Sequence, residues 1–238
     1  MTFTRSGDMP LITAVEGLCF AGKSTLIRVV AALTGAAIAA EYTDLAPLPA
    51  WPPADQDAVT AALMQFEHLE RLRAADATAE LQRRATAGSA RELVLLDRSP
   101  LTLIAHEYGM QTLAVPDDPN GAARRYTEAA TAGTILTPDV YVYLSVPDEV
   151  TAARRAARGP VAEHLDHPRV RARITQVYSA WMDLLPPGRR LHLDGTIPPQ
   201  VLAATTTRFL TNVVLGADLP AWTQLASAVA DQPAQVPL

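Results

Sequence analysis

A single cysteine, a single lysine and no long apolar run define what this sequence does without. Cys19 alone cannot build an internal disulfide framework, and the five histidines share no metal-ligand spacing with it. No stretch approaches the roughly 18 uninterrupted apolar residues of a membrane span. The opening MTFTRSGDMP has no hydrophobic signal core, so a cytoplasmic protein that does not engage membranes is expected. Positive charge is also scarce: 20 Lys and Arg against 25 Asp and Glu leave a formal charge of −5. That balance argues against the concentrated basic surface needed for a general grip on nucleic acid, so any basic residues that matter are local. What the chain does have is an apolar fraction of 49% over 238 residues, enough for the core of one α/β domain.

The lone lysine is informative because the chain otherwise uses arginine for positive charge. Lys23 lies in Gly17-Leu18-Cys19-Phe20-Ala21-Gly22-Lys23-Ser24, which fits the phosphate-cradling pattern G-x-x-x-x-G-K-[ST]. An apolar run precedes it and the helical stretch TLIRVVAAL follows it. In that setting backbone N–H groups from Gly17 to Thr25 and the helix N-terminus face anionic phosphates. Lys23 reaches the outer phosphates as a compact ammonium, and the Ser24 hydroxyl can bind Mg²⁺. Without a nucleotide, Lys23 is expected to face solvent.

Five strand-length apolar runs, 11–15, 36–40, 93–96, 140–144 and 191–193, are separated by longer helix-like segments. This alternation predicts a mainly parallel five-stranded sheet covered on both faces, with ligands at the carboxyl ends of the strands. The stretch DAVTAALMQFEHLERLRAADATAELQRRATAG predicts one long helix ending at Gly88. The segments DLAPLPAWPPAD and VPDDPNGAA read as loops, and the end from Ala217 reads as a loosely attached tail. A single domain over 1–238, with its core at about 10–212, is the simplest organisation.

The strand ends supply the candidate chemistry. LVLLDRSP places Asp97 and Arg98 at a strand tip, the first able to hold Mg²⁺ and the second to grip a phosphate. AAEYTD brings Glu41 to the same edge, where it can act as general base for an acceptor hydroxyl. In VPDEVTAARRAARGP, Arg154, Arg155 and Arg158 on a mobile segment can close over phosphates and exclude water. Arg71 or Arg73 on the long helix can reach the acceptor, and His106 can border its pocket.

Together these positions resemble the thymidylate kinase and deoxynucleoside kinase group of P-loop kinases. VEGLCFAGKST looks like the phosphate loop of that group, LLDRSP like its Asp/Glu-Arg motif, and PDVYVYLSVPDEVTAARRAARG like its fourth strand and arginine-bearing lid. RRLHLDGTIPPQVL is similar to the last strand and the turn beside adenine, which brings in Asp194. The resemblance implies an α/β three-layer sandwich with a short arginine-bearing lid. It also implies ATP and Mg²⁺ as cofactors, a small-molecule acceptor and a possible homodimer.

The departures narrow the acceptor. Thymidylate kinases usually have an acidic residue where Cys19 stands and an arginine where Glu41 stands, whereas deoxynucleoside kinases have a glutamate after the second strand. A hydroxyl acceptor on a nucleoside or nucleotide-like molecule is therefore favoured, with Lys23, Glu41, Asp97, Arg98, Arg154 and Arg158 as the catalytic set. A kinase of a non-nucleotide hydroxylated metabolite is the alternative, and a nucleotide-dependent ATPase or switch is the third possibility.

Overall fold

Alternate buried side chains build the sheet from its centre outwards. The structure, a computed structural model, describes residues 10–49, 53–85, 93–113, 118–159, 162–213 and 218–230. In chain order the main elements are β1 (Leu11–Glu16), α1 (Lys23–Thr34), β2 (Ala37–Ala39), α2 (Tyr42–Leu45), α3 (Gln56–Ala85), β3 (Leu93–Asp97) and α4 (Pro100–Met110). They continue with α5 (Pro119–Thr131), β4 (Val140–Ser145), α6 (Asp148–Arg158), α7 (Glu163–Asp166), α8 (Pro168–Leu184), β5 (Arg190–Asp194), α9 (Pro199–Thr211) and α10 (Leu225–Ala230).

The five strands run parallel in the order β2-β3-β1-β4-β5. Successive strand residues face opposite sides. Val15, Leu95, Val142 and Leu144 thus pack with Leu26, Ile27, Leu202 and Leu210 of α1 and α9. Ala14, Tyr141 and Tyr143 pack on the other face with α4, α5 and α8. The outcome is the expected three-layer arrangement. Strand register sets Val15 opposite Asp97 and Glu16 opposite Tyr143, which gathers the strand tips at one edge.

Two expectations give way. The Pro-Asn-Gly of VPDDPNGAA opens α5: Asp118 caps the helix by accepting from the Gly121 N–H at 2.8 Å, with proline in the first turn. Proline lacks the N–H that a first turn leaves unpaired, and aspartate satisfies one that remains. The tail is also docked over 218–230. Trp222, Leu225 and Val229 are buried, and the Trp222 indole N–H donates to the Tyr141 hydroxyl at 3.2 Å. The expected end of α3 at Gly88 lies outside the described residues.

Candidate functional site

The phosphate loop begins where β1 meets a backbone that only glycine tolerates. Gly17 has φ 142°, and a Cβ there would stand 2.4 Å from the Leu144 carbonyl oxygen. Gly22, at φ 107°, turns the chain into α1. Lys23 therefore starts the helix, but it does not face solvent as expected. It is 5% exposed, and its Nζ donates to the Leu18 carbonyl at 3.1 Å. The ammonium thus folds back over its own loop. Burial, followed by the charge of Arg98, pushes the Lys23 ammonium below its ordinary range.

Asp97 sits across from the loop. The Ser24 hydroxyl donates to Asp97 Oδ2 at 2.7 Å, while Asp97 Oδ1 is buried without a hydrogen-bond partner. An orphaned carboxylate oxygen beside a hydroxyl is a donor set that suits a hard divalent cation completed by phosphate and water. No cluster of three or more His, Cys, Asp or Glu side chains able to hold a metal occurs among the described residues.

Arg98 and Glu41 form an ion pair beside the loop. Arg98 also points Nη1 at the Gly17 carbonyl, 3.4 Å away, and Nη2 at Cys19 Sγ, 3.5 Å away. Its guanidinium thus joins the phosphate loop to the candidate base. Burial alone would raise the Glu41 carboxyl, but the charges of Arg98 and Lys23 outweigh it and hold the group below the ordinary carboxylate range. Glu41 is therefore ionised at neutral pH, and at 28% exposure it stays within reach of a ligand.

A cavity of about 630 Å³ opens beside these groups, lined by Lys23, Ser24, Thr25, Glu41, Arg98 and Tyr178 together with an apolar wall. Leu18, Cys19 and Phe20 also border it. His106 lines it as expected, and its ring meets His164 of α7 edge-on at 5.2 Å. Burial and the neighbouring His164 push the His106 imidazole down to about 3, which makes it a neutral wall. Arg158, the last residue of α6, also lines the cavity.

Other expected site residues lie elsewhere. Arg154 donates to the Phe20 and Ala21 carbonyls at 3.0 Å and to the Gly195 carbonyl at 2.7 Å. It is thus a strut between the phosphate loop and the turn after β5. Arg155 pairs with Asp166 of α7 and ties α6 to α7. Asp194 turns its carboxylate into its own turn, accepting from the Thr196 backbone at 2.9 Å and hydroxyl at 2.7 Å. Arg71 is not at this cavity. It is exposed, pairs with Glu67 and faces a separate cleft between α3 and α5. Positions two apart on a helix point to nearly opposite sides, so Arg73 is the inward one, and it is buried.

Sequence reasoning passed over Glu16. It is buried at the tip of β1 and accepts hydrogen bonds from the Ser99 and Thr102 hydroxyls, the latter 2.8 Å from the Tyr178 hydroxyl. The available signal was an acidic residue closing an otherwise apolar strand, directly before Gly17. Burial raises its carboxyl from 4.5 to about 7, against the opposing pull of the two hydroxyls and of Arg98 and Lys23. Between pH 4.5 and 7 the folded chain keeps a proton that the unfolded chain has released, so this group's contribution falls as pH rises. Glu16→Gln is expected to remove a loss of about 3 kcal/mol across that window. Denaturant unfolding of the variant and parent at pH 4.5 and 7 checks it. The difference between the two proteins is the relevant quantity, because the depressed His106 contributes a slope of opposite sign to both.

No family model and no curated protein matches the chain. Solved structures do. A deoxyadenosine kinase from M. mycoides, in a structure with the products dCMP and a flexible dCDP, superposes with TM-score 0.55 at 15% identity over 85% of this chain and 100% of that one. The same kinase with bound dCTP gives TM-score 0.54 at 14% identity, and with bound dATP 0.53 at 16%, each over the same shares. The chain shares its fold with that deoxyadenosine kinase.

Proposed function

We propose that this chain is a nucleoside-kinase-type phosphotransferase that moves the terminal phosphoryl group of ATP to a neutral hydroxyl of a nucleoside or nucleotide-like acceptor. The observation that carries this reading is the Glu41–Arg98 pair, set beside the phosphate loop in the wall of one cavity. The structural likeness to a kinase seen with deoxynucleotides supports it. Glu41 is ionised and takes the acceptor's hydroxyl proton as its oxygen bonds to the γ-phosphorus, while the bond to the β-phosphate bridging oxygen breaks and ADP leaves. Arg98 is already engaged with Glu41, Gly17 and Cys19. An acceptor phosphate would compete for that fork and meet the Glu41 carboxylate, which favours a neutral hydroxyl. Lys23 leaves the Leu18 carbonyl for the β- and γ-phosphates, and Arg158 covers them from α6. Ser24 and Asp97 would hold Mg²⁺, which neutralises charge on the phosphates when bound.

Asp97→Asn leaves Ser24 an oxygen partner but removes the negative charge. It is expected to raise the Mg²⁺ concentration for half-maximal rate by about tenfold or more. A titration of rate against Mg²⁺ at saturating ATP measures it. The acceptor class is tested by offering ATP and Mg²⁺ with nucleosides, nucleoside monophosphates and other hydroxyl compounds in parallel. Turnover of monophosphates alone would defeat the hydroxyl reading. Leu48, Phe66, Leu103, Leu165 and Ile174 give the cavity a broad apolar wall. This favours, as a second reading, a non-nucleotide hydroxyl compound with a carbon-rich body.

A further inference from the structure

Behind the site, α3 carries a buried ion pair that the transfer chemistry does not touch. Arg73 and Glu70 are 1% and 0% exposed and lie three residues apart on one face of the helix, joined at 2.7 Å. Such a pair is costly to bury unless further contacts complete it. Arg73 has some of them: its Nη2 donates to the carbonyls of both Asp97, at 3.1 Å, and Arg98, at 2.7 Å, while its Nε and Glu70 Oε2 are buried without a hydrogen-bond partner. In an extended chain successive carbonyls point opposite ways. They converge on one guanidinium here because Arg98 adopts φ 69°, a left-handed backbone that a side chain seldom takes. That same kink directs the Arg98 side chain to Glu41 and to the phosphate loop.

The second arm of the network reaches Glu41. Tyr42, the next residue and the first of α2, donates its hydroxyl to Glu70 Oε1, and its ring lies 4.6 Å beneath the Arg73 guanidinium. Burial and the Glu70 charge push the Tyr42 phenol well above its ordinary range, so it remains a donor. Glu41 itself caps α2 with extended backbone. One buried pair thus holds the backbone beside both members of the Glu41–Arg98 couple.

We propose that Arg73 and Glu70 are positioning residues for phosphoryl transfer, fixing the left-handed turn at Arg98 and the start of α2 so that Glu41 and Arg98 meet at the acceptor. This inference rests on the phosphotransfer reading for its kinetic consequences, but it has a readout of its own. Cys19 is the chain's one cysteine and lies 3.5 Å from Arg98 Nη2, so the rate at which an aromatic disulfide reagent modifies its thiol reports where Arg98 stands.

The test uses the double variant Glu70→Gln/Arg73→Gln, which removes both charges without stranding one. Tyr42→Phe, which removes only the hydroxyl, serves as the milder form should the double variant not fold. Misplacing reacting groups by about 1 Å typically costs about 10²-fold, so kcat is expected to fall to that extent in the double variant while the KM for ATP stays within about twofold. In a Glu41→Gln background the same change should cost less than about twofold more, since coupled residues do not lose activity independently. The Cys19 modification rate should shift from the parent value towards that of Arg98→Ala. Multiplicative losses with Glu41→Gln, or a parental Cys19 rate in a folded variant, would overturn the inference. Should the parent transfer no phosphoryl group at all, the phosphotransfer reading fails, and the Cys19 rates alone decide the positioning claim.

Discussion

Lys23→Ala is expected to lower kcat for phosphoryl transfer by about 10²–10³-fold, the usual loss when one preorganised charge on a transferring group is removed. The folded chain holds this ammonium 95% out of water against a single carbonyl, and its proton affinity is lowered by burial and by Arg98. Replacing it therefore removes an imperfectly solvated charge, and thermal unfolding should occur no lower than in the parent. Lys23→Arg is expected to be nearly as inactive, because a planar fork does not substitute for a point ammonium in a loop this tight. The measurement is kcat beside the unfolding midpoint for each variant. Near-parental turnover in folded Lys23→Ala would sink the assignment of the phosphate loop.

Glu41→Gln should show the second large effect. A base within hydrogen-bond reach of an acceptor hydroxyl contributes about 10²–10⁴-fold. The glutamine keeps the shape and an oxygen for Arg98 but takes no proton, so kcat should fall within that range while ATP affinity is preserved. Arg98→Ala should be less severe in proton transfer but broader. It releases Glu41, Gly17 and Cys19 together, and with them the depressed proton affinity of the base. The pH profile separates the two: in Arg98→Ala the acid limb, set by Glu41, should move to higher pH. A strong rise in acceptor KM for Arg98→Ala, with Glu41→Gln at parental rate, would point to an acceptor phosphate instead.

The parts of this site that could be read from sequence are those in which residue type is dictated by backbone geometry. Gly17 and Gly22 occupy turns closed to side chains, and their spacing to Lys23 and Ser24 marks the loop before any fold is known. Asp97, Arg98 and Glu41 were legible because strands end where charged residues follow an apolar run. Side-chain direction was not legible. Arg71 and Arg73 differ only in helical phase, and α3, with Arg73 and Glu70 on its buried face, lacks the clean apolar stripe that would have fixed that phase. Asp194 stands on the turn after β5, but the neighbouring Thr196 claims its carboxylate. The docking of 218–230 was signalled by Trp222, Leu225 and Val229 at helical spacing, but the Pro and Gln around them pointed to a loose tail. The inward turn of Lys23 rests on its bond to the Leu18 carbonyl, made against the repulsion of Arg98, and follows from the folded path of the loop, which residue type alone does not carry.

The central claim is that the phosphoryl group goes to an acceptor hydroxyl and not to water. The most direct measurement takes the best acceptor found, supplies ATP and Mg²⁺, and quantifies ADP, phosphorylated acceptor and inorganic phosphate in the same reaction. One phosphorylated acceptor for each ADP, with the new phosphate on a former hydroxyl and the yield abolished in Glu41→Gln, is the predicted result. ADP matched by inorganic phosphate, at a rate indifferent to acceptor and to Glu41, would contradict the account.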